Sequence, residues 1–90
     1  MTNAESTGNA AFIQASKDVN TLPTKPANDT LLELYALFKQ SIFGDNEDPQ
    51  PGLFDLKGKA KYNAWKSKAG MSKEEAQAKY IELVDSLMSK

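Results

Sequence analysis

The sequence predicts an all-α protein built as a four-helix bundle, and three observations lead there. Apolar residues recur at intervals of three and four, and no stretch alternates apolar and polar as a strand does. Prolines, glycines and capping residues then divide the chain into four helical lengths, which suits a small bundle. Ninety residues make one domain with a modest core. Residues 1–90 are read as that single domain, with the polar residues 1–9 as a flexible N-terminal extension.

The first helix follows the extension. Phe12, Ala15, Ser16, Val19 and Leu22 share one face, and Pro23 and Pro26 stop it. Asn28 is placed to cap the second helix, which runs through TLLELYALFKQSIF to Gly44. At about 100° per residue, Leu34, Tyr35, Leu37, Phe38 and Ile42 fall in one arc, flanked by Leu32, Lys39 and Phe43. Only Glu33, Ala36 and Gln40 are left for solvent. That arc is about twice what a surface helix needs. Either neighbours cover it on two sides, or part of it floors an apolar groove open to a ligand. Tyr35 and Lys39 stand one turn apart at its edge, a phenol and an ammonium beside an apolar strip.

Residues 44–57, GDNEDPQPGLFDLK, form a long loop, able to cross the bundle and keep two helices parallel. A third helix spans about 58–69 and ends at Gly70. Ser72 and Glu75 make a capping box for a fourth, on which Ala76, Tyr80, Leu83, Val84 and Leu87 share a face. Tyr80 on that stripe is either a core residue or an aromatic platform for a base.

Composition narrows the chemistry. The net charge is −1 and all 11 positive residues are lysines, which disfavours a nucleic-acid partner. Without cysteine or histidine there is no thiolate and no imidazole base, and the commonest metal ligand is missing. Ser72 reads as a cap, since nothing is present to activate it. Asp45, Glu47 and Asp48 lack the spacing of a calcium loop. The expectation is therefore a protein with no cofactor and no metal. No apolar run spans a bilayer and the start is no secretory signal, so stable membrane insertion is not expected and the cytoplasm is. Five of the 11 lysines fall in residues 57–68. Lys57 and Lys61 are one turn apart if the helix starts early, while Lys59 points elsewhere. This local positive patch suits a small polyanion.

In order along the chain, TKPANDTLLELYALFKQ, then GD, PGLFDLKGKAKYNAW and AKYIELV resemble the acyl-CoA-binding protein family over about residues 12–88. The resemblance implies an up-down-down-up bundle, with the 44–57 loop as an overhand connection. It implies an acyl-CoA-binding domain that carries medium- to long-chain fatty acyl-CoA and catalyses nothing. Tyr35, Lys39 and Lys61 would gather around the nucleotide's 3′-phosphate, with Lys25 and aromatics near the adenine. The implied ligand set is Asn20, Lys25, Leu32, Tyr35, Ala36, Leu37, Phe38, Lys39, Lys57, Lys61 and Tyr80. Three positions depart from the family pattern: Phe38 stands for a usual tyrosine, Asn20 for a frequent lysine and Tyr62 for the first of two tryptophans. The implied state is a monomer that meets membranes or acyl-CoA-using enzymes transiently. Two other classes compete: a helical protein-interaction module docking an amphipathic partner, and an acyl-CoA enzyme such as a thioesterase.

Overall fold

Helices form where the chain offers helical periodicity, and the second ends at Gly44, whose φ of 80° cannot continue it. The computed structural model describes residues 4–89. Helix α1 spans Ala10–Asp18, α2 Asn28–Phe43, α3 Leu56–Lys66 and α4 Lys73–Met88. Short 3₁₀ turns occupy Ala4–Thr7 and Val19–Thr21. Among the described residues there is no strand.

Contacts between the helices set their directions. Asn9 meets Gln77 and Phe12 meets Tyr80, so α1 and α4 advance together. Gln77 donates to the Ser41 carbonyl and Phe38 lies against Tyr80, so α2 and α4 run opposite ways. Lys61 lies over Tyr35 and Trp65 lies against Phe43, which makes α2 and α3 parallel. The order is up-down-down-up, and the segment between Phe43 and Leu56 is the overhand crossing.

Phe12, Ala15, Leu34, Leu37, Ile42, Tyr80 and Val84 form the core, with Leu83 and Leu87 packed on its edge. Phe12 is fully buried; covering a side chain of that size contributes roughly 1.5–3 kcal/mol. The stripe expected on α4 is the one observed.

Several expectations change. The N-terminal segment is folded from Ala4 onward, where Ala4 packs into the core and Asn9 caps α1 by accepting from the Phe12 N–H. Residues 1–3 of the expected extension lie outside the described residues. Helix α1 tightens to 3₁₀ before Leu22. Asn28 does not cap α2. Ala27 holds that position with no side-chain bond, so the helix starts on backbone geometry between Pro26 and Asp29. Helix α3 starts earlier than expected because the Asp55 carboxylate accepts from the Gly58 N–H, and Gly58 leaves no room for a Cβ beside it. Ser72 caps α4 as expected, accepting from the Glu75 N–H at 3.0 Å.

The largest correction concerns the face of α2 assigned to solvent. Ala36 and Gln40 are fully buried, and Glu33 pairs with Lys68. Helix α3 and the turn after it cover this face. The amide nitrogen of Gln40 donates there to the Asp45 carboxylate and the Met71 carbonyl, at 2.9 and 2.7 Å, while its Oε1 is buried without a hydrogen-bond partner.

Candidate functional site

Helical spacing and the parallel packing of α3 on α2 together assemble a cationic aromatic surface. Tyr35, Lys39 and Phe43 stack at successive turns of α2. Lys61 and Trp65, one turn apart on α3, face them. The Lys61 ammonium lies 5.4 Å from the Tyr35 ring centre and that of Lys39 lies 5.9 Å from the same ring. Two cations thus share one aromatic platform.

Neither is neutralised. Among the described residues the one ion pair joins Lys68 to Glu33, at 2.7 Å. Burial raises the Tyr35 phenol above its ordinary pKa, and the carboxylate of Asp48 raises it further. Asp48 is brought there by its turn: its N–H donates to the Asn46 side chain, which in turn donates to the Tyr62 carbonyl. Unpaired ammonium groups beside a neutral phenol suit an anion with several oxygens, which can take both charges and accept from the hydroxyl.

Next to this surface lies an apolar cleft of about 270 Å³, lined by Val19, Asn20, Pro26, Leu31, Leu34, Tyr35, Phe38 and Tyr80. A second cleft, of about 480 Å³, lies between the Leu22–Ala27 loop and the end of α4 at Leu87 and Met88. Pro26 lines both. Phe12, Phe38 and Tyr80 form an aromatic cluster beneath the first cleft, with ring centres 5.0–5.9 Å apart. Burial alone pushes the Tyr80 phenol up to about 12. Among the described residues no cluster of acids could hold a metal ion.

The expected site residues do not all converge. Tyr35, Lys39 and Lys61 meet on the cationic surface, and Asn20, Phe38 and Tyr80 line the cleft beside it. Asn20 spends its amide N–H on the Ser16 carbonyl, at 3.3 Å. Lys25 lines the second cleft. Lys57 is exposed at the start of α3, and Leu32 is half-buried outside both clefts. Ala36 and Leu37 are buried, and Leu37 borders a separate shallow cleft between α2 and α4. Trp65 beside Lys39 and Asp48 beside Tyr35 were missed. Phe43 was legible only as the next turn after Lys39.

The profile of the family described as Acyl CoA binding protein matches residues 9–84. The chain is 54% identical over 80 residues to Acyl-CoA-binding protein homolog 1 of Caenorhabditis elegans, covering 89% of this chain and 93% of that one. It is 51% identical over 79 residues to Acyl-CoA-binding protein of Saccharomyces cerevisiae, covering 88% and 91%. The fold matches the crystal structure of Oryza sativa Acyl-CoA-Binding Protein 2 with a TM-score of 0.84 at 40% identity, covering 88% of each chain. A family match across most of the length, relatives about half identical and a shared four-helix fold lead to one conclusion: this chain belongs to the acyl-CoA-binding protein family.

Proposed function

We propose that this chain binds medium- to long-chain fatty acyl-CoA esters and serves as an intracellular carrier and pool former for them. One observation carries the reading: two unpaired ammonium groups meet on Tyr35 at the edge of an apolar cleft. A phosphorylated nucleotide and a greasy tail on one molecule match that pairing. Lys39 and Lys61 bind the 3′-phosphate, Tyr35 donates its hydroxyl, and the tail follows the cleft past Phe38 and Tyr80.

The two halves do different work. Each buried methylene contributes about 0.8 kcal/mol, so a tail of about fourteen contributes on the order of 11 kcal/mol gross. Charge-assisted hydrogen bonds add roughly 1.5–3 kcal/mol each, and association costs take several kcal/mol back. The tail dominates affinity, while the phosphate contacts select a CoA ester over a free fatty acid.

No chemistry is asked of the site. With no histidine, no cysteine and Ser72 occupied as a helix cap, we infer a binder and not an enzyme. Palmitoyl-CoA incubated with the protein should release no free thiol. Among the described residues no helix is long and apolar enough to cross a membrane. We place the carrier in the cytoplasm as a monomer, as the family resemblance implies. Leu53, Phe54 and Leu56 are exposed beside Lys57, which supports transient contact with membranes or acyl-CoA-using enzymes. The interaction-module alternative loses its motive, because α3 and α4 pack on α2 and bury Leu34, Leu37 and Ile42 of the wide arc.

Calorimetry with a series of acyl-CoA chain lengths tests the reading. Affinity should rise with length until the cleft is filled. A flat profile would remove the buried tail.

A further inference from the structure

Lys39 has three aromatic neighbours and, among the described residues, no ion pair. Its ammonium lies 4.6 Å from the centre of Phe43, 5.3 Å from Trp65 and 5.9 Å from Tyr35. Phe43 and Trp65 themselves touch, with ring centres 5.9 Å apart. Trp65 is fixed in place: it is 4% exposed, and its indole N–H donates to the Gly44 carbonyl at 2.8 Å. Phe43 is 45% exposed, so packing alone is a weak reason for a phenylalanine on the last turn of α2.

We propose that Phe43 and Trp65 are positioning residues, which hold the Lys39 ammonium beside Tyr35 for a ligand phosphate. The proposal rests on the acyl-CoA reading above. A carboxylate could restrain the lysine too, but it would cancel the charge that the phosphate needs. Aromatic faces attract the cation through their quadrupoles and leave its charge available. A lysine already held in one arrangement loses less side-chain freedom on binding.

The test compares Phe43→Leu, which keeps the bulk and removes the ring, with Phe43→Tyr, which keeps both. Two readouts separate positioning from packing. In NMR spectra of the free protein, the Lys39 ε-methylene protons should be shifted upfield by the rings, and Phe43→Leu should reduce that shift. An absent shift in the wild type overturns the cage. In titrations, Phe43→Leu should weaken palmitoyl-CoA binding by roughly three- to ten-fold. The 3′-dephospho ester should lose less, and Phe43→Tyr should restore affinity. Phe43→Leu added to Lys39→Ala should cost nothing more, as expected when one residue acts through another. Equal losses for both esters, or a full loss in the Lys39→Ala background, would leave Phe43 with a packing role only. Wild-type protein that shows the ring shift yet binds neither ester would instead remove the acyl-CoA reading, and the phosphate role with it.

Discussion

The Lys61 ammonium lies 5.4 Å from the centre of the Tyr35 ring, so a cation from α3 is seated on an aromatic of α2. Of the three alternating lysines at 57, 59 and 61, Lys61 is the one with this contact. Lys61→Ala should therefore weaken acyl-CoA binding by roughly ten- to a hundred-fold, the worth of one charge-assisted contact. The 3′-dephospho ester should lose much less. Isothermal titration of both ligands checks this, and identical losses would detach Lys61 from the phosphate.

Asp48 opposes the same site. Its carboxylate helps to hold the Tyr35 phenol neutral, after burial, and repels an incoming phosphate. Asp48→Asn should tighten acyl-CoA binding by about two- to five-fold at low ionic strength, and added salt should shrink the gain. Equal affinities of variant and wild type in dilute buffer would show that this charge is too well screened to matter.

Tyr80 makes an alkaline prediction. Its pKa is about 12 when folded against an ordinary 10.0. Between those values the unfolded chain has lost the proton and the folded one keeps it, so stability falls as pH rises. The slope tends toward about 1.4 kcal/mol per pH unit. Melting curves from pH 9 to 12 should fall more steeply for the wild type than for Tyr80→Phe. Parallel curves would mean that the phenol is hydrated in the fold.

Gln40 ties the overhand crossing to α2. Gln40→Ala removes its bonds to Asp45 and Met71 and should cost roughly 1–3 kcal/mol in denaturant melts. It also removes the first reason for Asp45's lowered pKa, ahead of the Gly70 N–H. That carboxylate stabilises the fold above its ordinary 3.8 and stops doing so as pH falls through its folded value. The variant should lose part of that acid-side dependence, and an unchanged acid profile would count against the link.

Local rules made part of this site readable. Tyr35 and Lys39 were legible as a pair because one helical turn places them together, and Ser72 and the α4 stripe followed from capping and period. What failed needed tertiary information. Gln40 looks like a solvent residue until Met71 and Asp45 arrive to accept from its amide nitrogen. The aromatic surroundings of Lys39 depend on the register of α3 against α2, which neither helix encodes alone.

The pairing of α1 with α4 has a kinetic consequence. Asn9 bonds to Gln77 across 68 positions of chain, and the Phe12–Tyr80 contact at the core's centre bridges a similar span. The Phe12–Tyr80 part of the interior is secured only when the two ends of the chain meet, so the entropy of closing that long circuit falls on the route to the native state. Refolding should accordingly be slow for so small a helical protein, with substitutions at Phe12 and Tyr80 retarding it more than those at Trp65.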